Sequence, residues 1–510
     1  MDRARSSDHD PSGHGPSGRE PSGHEPSGHE KVTIHWEGQP VPALAGQDIA
    51  SALFAAGIPV LGRSRKFHRP QGLSGVFVAG VKATIGGMPN RRLDQTIVRA
   101  GQNIRMQNTW PNGRFDLMRL AALIPRRWLR SGFEHPAFLP GGSRRFQLWE
   151  SFLRIMAGGG EPADPALPGA ILPGERLSVD VAIVGGGPAG RKAAAEAAAS
   201  GRSVLVVSRG RQPGALAAAF GAALPALPKG VTLLAGWEAA GLYRRGTILL
   251  AAPLDGGPAK LIDARRLVLA TGKRSIPPLV TGADLPGVLD LPTAISLLKQ
   301  GIDLGRIILI GTGDLDALRQ RLSEMGAAIR VAHPAASLRR IIGRQCVERA
   351  EFETGSAECD AIVHAGPWRS DPALPFQASA DGIFRLGASA LPPHIEIAGW
   401  AAESDEAIVH GPALDEHAFV CPCMDVTAGE IRDLVEAGVT HVEELKRLTG
   451  CGMGPCQGFP CWDLLAAALS AITGEPAVGF GHPSYRPPRA ALSLAQAAGL
   501  ADLVKPETEA

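Results

Sequence analysis

The stretch VDVAIVGGGPAG, residues 179–190, does most to limit the fold. Its β-branched apolar run reads as a buried strand. Gly185, Gly187 and Gly190 follow, then the alanine-rich RKAAAEAAASG and a second strand, SVLVVS. Strand, turn, helix and strand in that order build a parallel sheet. The first glycine permits the tight turn, the second lets a pyrophosphate approach the backbone, and the third lets helix pack against strand. The pyrophosphate then rests on the amides of the helix N-terminus. These three glycines are the candidate dinucleotide-binding residues. An acidic side chain normally grips the ribose hydroxyls about 20 residues further on, but here the strand ends in Ser208 and Arg209. Arginine there suits a 2′-phosphate, so these residues leave the dinucleotide, NAD or FAD, open.

A second lobe follows. ARRLVLATGKRSIPP ends an apolar strand in Ala-Thr-Gly, and RIILIGTGDLDALRQRLSEMGAAIRVAH offers another strand and turn with Gly311 and Gly313. Asp316 stands at the third glycine position and Asp314 at the helix entrance. Carboxylates there suit the helix dipole but repel a pyrophosphate. The lobe is expected to be kept for structure and lost for binding.

Five of the seven cysteines lie between Cys421 and Cys461. Cys421 and Cys423 flank one residue, Cys451 and Cys456 flank four, and 27 residues separate the pairs. Within those 27, Thr427 with Glu430 and Thr440 with Glu443 read as capping boxes of two short helices ending at Gly438 and Gly450. Such a hairpin returns the second pair to the first. Four thiolates suit a [2Fe-2S] cluster or a tetrahedral zinc. Gly452, Gly454 and Gly458 favour the cluster, because they let amides approach bridging sulfides. Cys461 opens an apolar helix; it is an alternative to Cys456 as fourth ligand, but a small buried core residue is the expected role. Clustered late thiols, odd in number, do not form a disulfide framework.

Residues 1–30 hold a Pro-Ser-Gly-His repeat with little to bury and are expected to be disordered. Residues 31–110 pattern as hairpin, helix and hairpin, a small β-grasp arrangement. Residues 111–176 interleave arginines with aromatics, as at protein interfaces. A formal net charge of +2 gives no case for nucleic acid. No apolar run reaches the roughly 18 residues needed for a transmembrane segment, and a cytoplasmic location is expected.

Several stretches resemble one family. GQDIASALFAAGIPVLGRSRKFHRPQGL is similar to the ferredoxin-like domain opening the alpha subunit of heterotetrameric sarcosine oxidase and related opine and proline dehydrogenases. Cluster-bearing members carry cysteines after the RP-x-G turn, whereas no cysteine precedes Cys346 here, so this domain cannot hold a thiolate-ligated cluster. DVT-x-x-EI, ELKR-x-T and GMGPCQG resemble the bacterioferritin-associated ferredoxin (BFD) module of opine oxidase, proline dehydrogenase and hydrogen cyanide synthase subunits. Carried across, that motif implies Cys421, Cys423, Cys451 and Cys456 as ligands. In HIEIAGWAAE, Trp400 replaces the aspartate that related flavoproteins offer the flavin. This weakens FAD, and the NAD carried by sarcosine oxidase alpha points the same way. The resemblance spans most of residues 32–500, without the aminomethyltransferase-like half of sarcosine oxidase alpha.

The expectation is an α/β multidomain protein: tail 1–30, ferredoxin-like β-grasp domain 31–110, connector 111–176, two-lobed Rossmann-like core 177–418, helical BFD-like module 419–475 and docking tail 476–510. The resemblance implies an electron-transfer, nucleotide-binding subunit of a heteromeric dehydrogenase or oxidase acting on CH-NH donors. Its partner would be a D-amino-acid-oxidase-type flavoprotein beta subunit, with room for a small additional subunit and for FMN at a subunit interface. No general base or nucleophile is proposed in this chain. Two alternatives stay open: a self-sufficient FAD- and NAD(P)H-dependent reductase feeding its own cluster, and a non-catalytic redox-sensing or docking module.

Overall fold

The computed structural model describes residues 30–73, 81–123, 171–379, 391–408, 414–454 and 456–504. The repeat tail and most of the arginine-aromatic connector fall outside them.

In the N-terminal domain, β1 (Lys31–Trp36) and β2 (Gln39–Leu44) form a hairpin, α1 (Ile49–Ala55) follows, and β3 (Lys82–Ile85), β4 (Met88–Arg92) and β5 (Asn103–Met106) complete a sheet in the order β2-β1-β5-β3-β4. Only β1 and β5 run parallel, which is the β-grasp arrangement. Asp48 starts α1 by accepting the Ser51 amide at 2.8 Å, and Gly57 follows its end at φ +76. Ile49 to Phe54 are all buried. A helix hidden all round fits its setting, because Leu53 and Leu297 of the second lobe belong to one continuous apolar core.

The first lobe is built on β6 (Glu175–Val184), α2 (Pro188–Ala199) and β7 (Val204–Ser208), followed by β8 (Thr232–Ala235), the hairpin β9 (Trp237–Tyr243) and β10 (Ile248–Pro253), and β11 (Lys260–Leu269). The sheet order is β8-β7-β6-β11-β10-β9. Val181 to Val184 are buried, as befits a parallel strand covered on both faces. The second lobe carries β12 (Val288–Asp290), α3 (Leu291–Lys299), β13 (Arg306–Gly311), α4 (Leu315–Glu324), β14 (Ala328–Pro334) and β15 (Ala361–Ala365), in an all-parallel sheet ordered β12-β15-β13-β14. The chain then returns to the first lobe, where β16 (Ile395–Ile397) pairs with β11.

The cysteine module follows: β17 (Phe419–Cys421), β18 (Val426–Thr427), α5 (Ala428–Glu436), α6 (Val442–Thr449) and α7 (Cys461–Thr473). Thr427 caps α5 by accepting the Glu430 amide at 3.2 Å. The cap of α6 is His441 rather than Thr440: its Nδ1 accepts the Glu443 amide. Glu443 is drawn off by other partners, accepting the Ser484 amide at 2.7 Å and pairing with Lys446 of its own helix at 2.7 Å, so the expected reciprocal box does not form there. Residues 476–504 of the expected docking tail pack against the rest of this chain. Tyr485 is buried against Trp462, Arg489 pairs with Asp371, and Leu500 packs into the first lobe's hairpin core. Among the described residues no helix is long and apolar enough to cross a membrane.

Candidate functional site

At the dinucleotide turn each glycine has the surroundings its task requires. Gly185 has φ +114, and a Cβ there would lie 2.1 Å from the Ala270 carbonyl oxygen. A Cβ on Gly190 would lie 1.8 Å from the Gly185 oxygen, so helix and strand meet only because it is missing. Gly187, at the N-terminus of α2, has no protein atom within 4 Å of its would-be Cβ. That is the open approach a pyrophosphate needs. Ser208 is buried beside Gly186, and Arg209 faces Glu238 at 3.9 Å. Arg191 is an addition that the spacing alone does not reveal. Its guanidinium donates to the carbonyls of Gly186 and Pro225 at 3.0 and 2.9 Å and holds a positive charge over the turn.

The second lobe's turn is closed by acids. Asp314 caps α4 by accepting the Ala317 amide at 2.9 Å, and Glu406 accepts from Thr312 Oγ1 at 2.8 Å and the Trp368 amide at 3.1 Å. These carboxylates occupy the donors an anion would use. Trp400 stacks obliquely on Trp368, ring centroids 5.0 Å apart. The adjoining Gly399 abuts Ala189 at the N-terminus of α2.

All five clustered cysteines are buried. The sulfurs of Cys421, Cys456 and Cys461 lie within 4.8 Å of one another, with Cys456 and Cys461 only 3.3 Å apart. Cys423 and Cys451 are buried in the same cluster, and all four of the other thiols bear on Cys421. Cys456 and Cys461 thus both lie within reach of Cys421. Cys461 is brought there as the first residue of α7. Burial pushes the Cys421 thiol up, but the surrounding thiols outweigh it and hold the group well below its usual range. Hydrogen bonding to Cys421 pushes Cys451, Cys456 and Cys461 well up. A site able to share one negative charge over several sulfurs fits a polythiolate metal centre.

The glycines of this loop have a second task. The Gly452 amide does donate to Cys421 Sγ, at 3.3 Å. A Cβ on Gly452 would meet Trp462 Nε1 at 1.9 Å, one on Gly458 the same ring at 2.6 Å, and one on Gly454 the Cβ of Cys423 at 2.7 Å. The loop thus wraps Trp462, whose Nε1 donates to the Cys451 carbonyl at 3.2 Å.

Beside Cys456 lies a cavity of about 360 Å³. Arg65, Lys82, Arg92, Arg209, Arg274 and Arg489 line it, against one carboxylate, Glu238. Burial and neighbouring Arg209 lower Arg274 to about 10, the mark of positive charge in excess. Burial would raise Glu238, yet Arg209, Arg489, Arg92 and Arg274 bring it down to about 2.

Comparison with known proteins follows the same divisions. Residues 29–109 match a 2Fe-2S iron-sulfur cluster binding domain, 179–315 a pyridine nucleotide-disulphide oxidoreductase domain, and 419–470 a BFD-like [2Fe-2S] binding domain. Sarcosine oxidase subunit alpha of Rhizobium meliloti is 27% identical over 89% of this chain and 56% of its own length. This chain thus spans little more than half of that relative. Hydrogen cyanide synthase subunit HcnA of Pseudomonas aeruginosa is 35% identical over 17% of this chain and 79% of its own. The crystal structure of L-proline dehydrogenase from P. horikoshii superimposes with a TM-score of 0.68 at 22% identity, covering 92% of this chain and 97% of that one, which shows a common fold.

Proposed function

The chain belongs to the sarcosine oxidase alpha-like family of [2Fe-2S]- and dinucleotide-binding oxidoreductase subunits, and on that premise we propose that it passes electrons within a heteromeric flavin-dependent dehydrogenase or oxidase of amines or imino acids. Sarcosine, proline, hydroxyproline and opines are the substrate class. A flavoprotein partner of the D-amino-acid-oxidase type would bind the substrate and take its hydride. The observation that carries this reading is the buried thiol cluster opening through Cys456 onto a basic cavity.

When bound, a [2Fe-2S] cluster supplies one-electron transfer. Cys421, Cys423, Cys456 and Cys461 would hold it. This departs from the motif-based set by taking Cys461, whose sulfur lies within 4.8 Å of those of Cys421 and Cys456, in place of Cys451. The Gly452 amide would stabilise the charge on Cys421. The excess cations of the cavity suit the phosphate of an FMN shared with the partner. Gly187 and the N-terminus of α2 would hold a dinucleotide pyrophosphate, with Arg191 nearby. The acids at Thr312 and Asp314 speak against a working nicotinamide site in the second lobe and so against a self-sufficient reductase.

The test is anaerobic purification with the co-expressed partner, followed by metal, sulfide and nucleotide analysis. Addition of the amine should raise the electron paramagnetic resonance signal of a reduced [2Fe-2S] cluster. Zinc without labile sulfide would sink the cluster. Rapid reduction of the isolated chain by NADH or NADPH would instead favour the reductase.

A further inference from the structure

A domain matched to a cluster-binding family, yet without a cysteine, invites the question of what it does. Its segment Arg65–Arg69 lies on the loop that carries Cys421 and Cys423. Asp425, fully buried and held at φ +55, accepts the backbone amides of Lys66 and Phe67 at 2.7 and 3.3 Å and the Arg69 Nε at 2.8 Å. The same guanidinium donates to the carbonyl of Pro422, the residue between the two cysteines, at 3.0 Å. It also lies 3.8 Å over the ring of Phe419, ion-pairs with Asp284 of the second lobe, and has Arg65 beside it reaching Met424 Sδ at 3.8 Å. Every residue of 419–425 that is not Cys421, Cys423 or the buried Val420 is therefore held by this one turn.

We propose that Arg69, acting through Asp425 and the Pro422 carbonyl, is a positioning residue for the metal centre: it fixes the directions in which Cys421 and Cys423 present their sulfurs and sets the charge felt there. The N-terminal domain is then the electrostatic support of the C-terminal module. Groups that hydrogen-bond to ligand-bearing backbone tune both the retention and the potential of a bound centre. A left-handed, buried aspartate at the end of the C-x-C turn has no other partner of comparable charge in the described residues than Arg69.

The proposal rests on the cluster reading, and the experiment separates the two. The full chain is prepared as wild type, Arg69→Gln, Arg69→Lys and Asp425→Asn. Iron release to a chelator, the midpoint potential and bound nucleotide are then measured. Absence of labile sulfide from the wild type ends the cluster reading before any variant is compared. With a cluster present, Arg69→Gln should release iron about tenfold faster and shift the potential negative, since a cation is lost. Asp425→Asn should also speed release but shift the potential positive, since an anion is lost. Arg69→Lys should restore the potential but not the retention, because lysine keeps the charge without the planar fork. Nucleotide content should stay at the wild-type level throughout. Shifts of one sign, or none, with only thermal stability reduced, would overturn the proposal and leave the contact as a tie between domains. Should Arg69→Gln fail to fold, the sign of the Asp425→Asn shift decides.

Discussion

The sulfur of Cys456 lies 3.3 Å from that of Cys461, and both face Cys421. If these three and Cys423 are the ligands, Cys461→Ser should remove the labile sulfide and the paramagnetic signal as fully as Cys456→Ser does. Cys451→Ser should keep both, with a changed potential because the thiol contact to Cys421 is lost. Iron and sulfide analysis of the three variants checks this. Loss in Cys451→Ser with retention in Cys461→Ser would restore the assignment the sequence motif suggests.

Trp462 is the post around which the cluster loop is wound. Gly452→Ala would drive a methyl to 1.9 Å from the indole nitrogen at a backbone position of φ +73. The expected cost is about 2 kcal/mol from overpacking and backbone strain. Trp462→Phe removes only the bond to the Cys451 carbonyl and part of the ring, for about 1 kcal/mol of hydrogen bonding plus some packing. Denaturant titration should rank Gly452→Ala as the more destabilised of the two.

The parallel-sheet lobes were legible because their signals are local: an apolar strand, glycines at fixed offsets and a helix. The β-grasp domain was legible for the same reason. The choice between Cys456 and Cys461 is not legible in this way, because a one-dimensional spacing cannot say where a chain turns between Cys451 and Cys461. The bend that sets Cys461 at the head of α7 depends on Trp462 filling the hollows left by Gly452 and Gly458. The His441 cap has no local signal, because it depends on Glu443 being claimed by Ser484, 41 residues away. The basic cavity assembles Arg65, Arg209, Arg274 and Arg489 from distant stretches, and no window of sequence contains it. Arg191 did have a local signal, an arginine directly after the third glycine.

Gly187 and Gly190 should respond differently to the same methyl group. Gly190→Ala meets the Gly185 carbonyl oxygen at 1.8 Å and should disrupt the first lobe. Gly187→Ala meets no protein atom within 4 Å and sits at φ −77, which alanine accepts. Its melting temperature should therefore stay near that of the wild type, while the nucleotide released on denaturation falls sharply because the methyl fills the pyrophosphate's approach. Wild-type nucleotide content in a folded Gly187→Ala would remove the turn from the binding site.

Glu238 is the single carboxylate among the cavity's six cations, and four arginines bring it from 4.5 to about 2 against the effect of burial. A carboxyl depressed by folding contributes stability that is full above its unfolded pKa of 4.5 and is lost as the pH falls toward 2. The shift corresponds to roughly 3 kcal/mol. Glu238→Gln should accordingly be less stable than wild type at pH 7 by an amount of that order, and the difference should shrink between pH 4.5 and 2. The same variant gives the cavity one more uncompensated positive charge, so inorganic phosphate should protect it against denaturant more than it protects the wild type. Denaturation at several pH values, with and without phosphate, measures both effects. A stability difference independent of pH would mean that Glu238 matters for its shape and not for its charge.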